Sequence, residues 1–381
     1  MTIILVLFGL SMFCLYYIYD GYLRVLQLAA RLAPACDEGR ACSDPPPLTV
    51  LLTVCNEAAE IAERIRNILD TDYPKEKLQI LVASDGSSDG TDEIVAGMAN
   101  ECVQLFRPDA RLGKTETQNR AMLHATGAIV VFTDAGTRFQ RDFLPCVAAP
   151  FAAPDVGAVN GHLLFLQDFE SGIAASQGYY WSYELRLRQL ESVLGILAVS
   201  SGACVAIRKS LFCPMSPSVG EDCVLPLDVA MQGYRVVHAR DAIAMDRMDR
   251  DSKGEFRTRV RMTLRNWQGT WAYPSLLDPF RHPGYAFALW SHKILRWLSP
   301  FLLLMAVLCA LSGAALGMTS MQVALGAMIA VKLAALIGWF CDRKAIRISG
   351  AAIAYSFFLA NAGFFVGVVK AVRGVRITGY R

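Results

Sequence analysis

Asn56, Asp85 and Asp134 share one setting: each closely follows a short apolar run, Leu48 to Val54, Leu78 to Ala83 and Ala128 to Thr133. One such polar residue punctuates a turn. Three successive strands ending this way put three side chains on one sheet edge, and that edge is where open α/β sheets bind nucleotides and phosphates. Lys114, after Gly113 and before a helical stretch, could add a cation there, although lysine at a helix start is commonly solvated. Further along stands an acid pair, Glu221 and Asp222 after Gly220, which in isolation reads as a helix start. An arginine run, Arg257, Arg259, Arg261 and Arg265, ends at Asn266 and Trp267.

The elements that must position these groups follow from spacing. The runs before Asn56, Asp85 and Asp134 are nearly unbroken in apolar character, as expected of parallel strands covered on both faces. After Asp85 comes GSSDGTD, where Gly86 and Gly90 allow tight backbone geometry and Ser87, Ser88, Asp89 and Thr91 offer acceptors to a helix start. Ala58, Ile61, Ala62, Ile65, Ile68 and Leu69 have helical spacing. Thr115 to Ala125 is a second helix, closed by Gly127. The order β-α-β-α predicts right-handed parallel crossovers.

Composition adds a membrane. In 381 residues, 54% are hydrophobic and 19% charged, too apolar for an ordinary soluble domain. The sequence divides into an amino-terminal anchor at 1–22, a globular part at 45–270, aromatic interfacial helices at 271–297, and a membrane region at 298–372 of about three segments. A net charge of +3 with scattered Lys and Arg argues against a nucleic-acid partner. Arg24 and Arg31 follow the first span and no basic side chain precedes it, which places the globular part in the cytoplasm of a plasma-membrane protein. Lys370, Arg373, Arg376 and Arg381 would then fall outside after three further spans; either the last segment, with Asn361 near its middle, is re-entrant or interfacial, or the tail is an exception.

The segments LLTVCNEAAEI, LVASDGSSDGTDEI, GKTETQNRAM, VVFTDAGTRF, SGACVAIRKSLF and GEDCVLPLDVAMQGYRVV, in that order, resemble the membrane-anchored family-2 glycosyltransferases over about 48 to 270. The resemblance implies an α/β fold of GT-A type, a Rossmann-like sheet domain flanked by transmembrane α-helices, binding a nucleotide sugar of the UDP class with Mg2+ or Mn2+. It gives Asn56 and Glu57 a part in holding the nucleoside, Asp85 recognition of the base, and Lys114 a place near the nucleotide. Asp134 matches the first acid of the DxD motif that holds the metal, and Gly136 stands where the second acid is expected. Asp222, with Glu221 beside it, matches the catalytic base of an inverting transfer. Gly202, Arg265 and Trp267 fall near diphosphate or acceptor, although the QxxRW element has lost its glutamine and separates Arg265 from Trp267 by one residue. The arginine run then reads as a lid over the site or as a basic helix on anionic lipid heads. Tyr179, Tyr180, Trp181 and Tyr183 read as core or as acceptor contacts.

Together these imply a membrane-bound enzyme moving a sugar onto a lipid-linked or membrane-associated glycan acceptor, one or a few units at a time. A processive polysaccharide synthase is the alternative within the class, and about four spans are few to enclose a polymer. A silent homologue acting as a membrane scaffold is the alternative outside it, and Gly136 is its best support.

Overall fold

A computed structural model describes residues 1–33, 44–166, 172–247, 252–344, 346 and 348–376. Helix α1 (Thr2–Leu32) leads into the globular part. There follow β1 (Leu48–Val54), α2 (Ile61–Leu69), β2 (Leu78–Ser84), α3 (Thr91–Gly97), β3 (Val103–Phe106), α4 (Lys114–Ala121) and β4 (Ile129–Thr133). The second half holds β5 (Arg138–Phe139), α5 (Phe143–Ala148), β6 (Val156–Leu166), α6 (Gly172–Val193), β7 (Val205–Arg208), α7 (Glu221–Met231), β8 (Arg235–Arg247) and α8 (Ser252–Trp271). Three long helices close the chain: α9 (Pro283–Ala315), α10 (Thr319–Arg343) and α11 (Ser349–Val372). With α1 they make, among the described residues, four helices long and apolar enough to cross a membrane.

The strands form one sheet in the order β3-β2-β1-β4-β7-β6-β8-β5. The β3, β2, β1 and β4 pairings are parallel, as predicted, and β7 then runs antiparallel to both β4 and β6. Alternation sorts the strand residues to two faces. Val50, Leu52, Ile80, Val82 and Val131 pack on Ile61, Ile65 and Ile68 of α2. Leu51, Leu81, Val130 and Phe132 pack on Ala121 of α4 and on Val224, Leu225 and Val229 of α7. From β1 the chain steps outward to β2 and β3, then crosses back to lay β4 on the other side, so a crevice opens at the carboxyl ends of β1 and β4.

The helices depart from the predicted boundaries. Helix α1 continues past 22 to Leu32, and α9 begins at Pro283, taking in much of the stretch expected as a separate interfacial collar. The α9 extension carries His292, Lys293 and Arg296, polar side chains that hydropathy cannot mark as helical membrane-side residues because Glu184 and Glu191 of α6 satisfy them. Helix α11 is continuous across Asn361, whose Oδ1 accepts from the Ser299 hydroxyl of α9 at 2.7 Å and whose amide donates to Tyr19 of α1 at 3.2 Å. A buried amide in an apolar helix is thereby paired rather than exposed to lipid. Helix α8, which carries the arginine run, packs along α11.

Candidate active site

The crevice is built by loops that hold one another. Asn56 turns the chain after β1 with a left-handed backbone, φ 59°, a conformation asparagine tolerates better than most residues. Its N–H donates to Ser87 Oγ at 3.1 Å, and its Oδ1 accepts from the Ser88 N–H at 2.9 Å. The Glu57 N–H donates to Thr91 Oγ1 at 2.9 Å, so the β1 and β2 loops form one rim. Burial, then the charges of Glu60, Asp134 and Asp89, push the Glu57 carboxyl up, as expected of an acid-rich edge. Asp85 is buried and fully engaged: it accepts from the Leu112 N–H at 2.7 Å, the Gly113 N–H at 3.0 Å and the Thr117 hydroxyl at 2.9 Å. It sets the 111–113 loop and the start of α4.

That start delivers Lys114. Its Nζ lies 2.6 Å from Asp134 Oδ1 and 2.5 Å from Glu221 Oε1, bridging the β4 and α7 acids. Lys114 and Glu221 are buried, whereas 40% of the Asp134 side chain is exposed to the crevice. Gly202 backs onto Glu221, and a Cβ there would come within 2.8 Å of Oε1, so a side chain at 202 would push the acid from its place beside Lys114. Arg265 donates to the Val219 carbonyl and, at 3.2 Å, to Thr115 Oγ1, pinning the chain just before Glu221 to the start of α4.

Asp222, one residue on, lines a cavity whose wall also includes Asp246. This cavity, of about 450 Å3, lies between the sheet domain and the membrane helices, walled by Asp222 and Trp181 on one side and by Lys293, Trp297 and Phe364 on the other. Burial, then the neighbouring charge of Glu221, raises the Asp222 carboxyl above the ordinary range, against the opposing pull of Arg265 and Lys114. A carboxylate so placed is a better proton acceptor than one in water.

A chain of ions backs this cavity. Glu184 of α6 receives Lys293 at 3.0 Å, Arg296 at 3.0 Å and Arg188 at 3.2 Å. The His292 ring lies between Glu184 at 2.9 Å and Glu191 at 2.7 Å, and Tyr22 of α1 donates to Glu191 at 2.8 Å. Arg188 sits 5.1 Å above the Trp181 ring, and its Nη1 has no hydrogen-bond partner among the described residues. Tyr180 shares the cavity wall and Tyr183 packs on α1, while the Tyr179 side chain lies outside the described residues. Trp267 packs between Trp271 and Trp297, at 5.8 and 5.9 Å between ring centroids, behind the cavity rather than in it.

Spacing had given no sign of several residues that shape the site. Arg64, fully buried on α2, donates to the Asp134 carbonyl at 3.2 Å and to the Thr133 hydroxyl at 2.7 Å, fixing the turn that presents Asp134. Asp246 on β8 lies against Gly136 and accepts from the Thr137 hydroxyl at 3.1 Å. Burial, followed by smaller effects that include the charge of Asp134, raises its carboxyl. Glu184 and His292 sit 108 residues apart and carry no local signature.

Comparison with known proteins accords with this geometry. The model of "Glycosyl transferase family 2" matches residues 49–213. Glycosyltransferase AglE of Haloferax volcanii is 27% identical over 136 residues, 35% of this chain and 44% of that protein. The beta-monoglucosyldiacylglycerol synthase of Trichormus variabilis is 28% identical over 168 residues, 43% of this chain and 36% of that protein. The chain thus spans less than half the length of these two curated relatives. A solved mannosyltransferase, PcManGT from Pyrobaculum calidifontis in complex with GDP-Man and Mn2+, superposes with a TM-score of 0.75 at 24% identity, over 96% of this chain and 99% of that one. The shared fold therefore includes the flanking helices.

Proposed function

We propose that this chain, whose residues 49–213 form a glycosyltransferase family 2 domain on a GT-A fold, is an inverting enzyme working between a nucleotide sugar and a membrane lipid. The donor's diphosphate lies in the crevice over Asp134 and Lys114. The acceptor hydroxyl enters the cavity beside Asp222. One observation carries this reading: adjacent residues of α7 have different surroundings, Glu221 bridged through Lys114 to the donor-side Asp134, and Asp222 facing the cavity walled by membrane helices. A single helical turn so holds the base against both substrates.

In the reaction, the acceptor oxygen gives its proton to the Asp222 carboxylate and bonds to the anomeric carbon. The bond from that carbon to the diphosphate oxygen breaks on the opposite face, leaving the nucleoside diphosphate with the electron pair. Lys114 faces the charge that develops on that leaving group. Asp134 offers hard, exposed carboxylate oxygens suited to Mg2+ or Mn2+, and such an ion would neutralise diphosphate charge. Asn56, Glu57 and the loop fixed by Asp85 enclose the nucleoside, and Gly202 and Arg265 act by placing Glu221 and the start of α7. Aromatic and apolar walls beside the membrane helices, a donor left open on Arg188, and the glycolipid synthase among the relatives favour a lipid or lipid-linked acceptor on the cytoplasmic face. With a cavity of this size, one sugar or a few are added before release.

The test is nucleotide release by the purified full chain across a panel of UDP- and GDP-sugars with membrane lipids, with products weighed by mass spectrometry. A lipid heavier by one sugar is expected. No release from any donor would leave a scaffold, and long enzyme-bound polymers would replace single addition with processive synthesis.

A further inference from the structure

The turn after β4 reads Asp134-Ala135-Gly136 and carries one carboxylate. The sheet brings another to it. Strands β5 and β8 pair antiparallel, with Arg138 opposite Met245, which sets the next residue of β8 alongside 136 and 137. Thr137 donates to Asp246 Oδ2 at 3.1 Å, and a Cβ built on Gly136 would meet Asp246 Oδ1 at 3.4 Å. The Asp246 carboxylate therefore lies in contact with the place where a side chain at 136 would begin. Gly136 has no positive φ, so its backbone does not demand glycine. What its missing side chain leaves is room beside Asp246.

We propose that Asp246 is the second carboxylate of a divalent-cation site begun by Asp134, supplied across the sheet from β8 instead of from the β4 turn. The inference rests on the transferase reading above. Both acids offer hard oxygens and keep acceptor capacity: Asp134 meets Lys114 at Oδ1, and among the described residues Asp246 accepts from Thr137 at Oδ2 and from the Arg247 N–H at Oδ1, 2.7 Å. Among the described residues no three His, Cys, Asp or Glu side chains group closely enough to hold an ion. Two carboxylates must then be completed by diphosphate oxygens and water, the usual arrangement for Mg2+ at phosphate substrates. The ion consequently binds together with the nucleotide and weakly without it.

The experiment is Mn2+ uptake by the detergent-purified full chain, read from loss of the free-ion electron paramagnetic resonance signal, with UDP or GDP present and absent. Nucleotide affinity without metal is measured in parallel by calorimetry. Wild type is expected to take up Mn2+ with nucleotide and to bind it at least about 10-fold more weakly without. Asp246→Asn should weaken Mn2+ binding in the nucleotide complex about 10- to 100-fold, while metal-free nucleotide affinity stays within about twofold. Adding Gly136→Asp to that variant should restore most of the loss, because it returns a carboxylate to the same space. Unchanged Mn2+ affinity in Asp246→Asn would overturn the proposal, as would a loss that Gly136→Asp does not repair, or absence of nucleotide-dependent Mn2+ uptake by wild type. Nucleotide binding without metal keeps the transferase reading standing when the metal arm fails; no binding of either nucleotide overturns both.

Discussion

The crevice rim and the seam against the long helices are both polar, and they are held in opposite ways. At the rim, Asn56, Asp85 and Asp89 take their bonds mainly from backbone N–H groups and hydroxyls of loops 32 or fewer residues away, as with Ser88 to Asn56 and Thr117 to Asp85. In the seam, Glu184, Glu191 and His292 are held by charged or hydroxyl side chains from α1, α6 and α9, more than 100 residues apart. A rim built from backbone donors can exchange one partner for a ligand and keep its shape. A buried ionic node cannot lose a member without stranding the others in low dielectric. The rim therefore suits binding, and the seam suits fixing the domain to its helices.

This contrast is sharpest at Asp222, which lies between the two. Asp222→Asn should lower turnover about 100- to 10,000-fold with nucleotide affinity retained, measured by nucleotide release and calorimetry. It should not lower stability. Burial raises the folded carboxyl above its unfolded value, so the group's stabilising contribution is present at low pH and is lost as pH rises through the folded pKa. The variant should melt no lower than wild type at pH 7, and the two should converge in acid. A marked fall in melting temperature at neutral pH would mean that Asp222 belongs to the seam.

Glu184→Ala comes next. Removing the shared anion leaves Arg188, Lys293 and Arg296 uncompensated, and a loss of about 3–5 kcal/mol is expected in detergent unfolding. Nucleotide affinity of the folded fraction should be unchanged; a large drop there would erase the division of labour. Thr117→Val tests the rim by removing one donor to Asp85, at a cost of about 1.5–3 kcal/mol. That cost should appear partly as weaker nucleotide binding through the 111–113 loop. The smallest effect concerns His238, which bonds to Asn160 at 2.9 Å and whose ring burial and the nearby His162 push down to about 3. The unfolded ring binds its proton near its ordinary value of about 6.5, so stability falls as pH drops below that value. His238→Asn should flatten that part of the melting-temperature profile between pH 7 and 5.

The same contrast explains what could be read in advance. The placement of Asn56, Asp85 and Asp134 was legible because each sits one or two residues after an apolar run, and strand alternation with β-α-β order is a local signal. The bounds of β1 agreed to the residue. Arg64 was not legible: in IAERIRNIL it resembles a solvated helix position, and only the β4 turn above it accounts for its burial. Asp246 was hidden for a related reason, since its neighbour Gly136 is 110 residues earlier and the pairing of β5 with β8 joins a two-residue strand to a long one. His292, Lys293 and Arg296 read as an interfacial flank because hydropathy counts their charge and not their partners.

Asn361 carries a last consequence, for the making of the protein. Its bond to Tyr19 spans 342 residues, joining a segment made early to one made much later. Until α11 is inserted, Tyr19 and Ser299 have no amide to meet, and the cavity lacks the Phe364 side of its wall. Chains halted before α11 would carry a complete rim with an open seam.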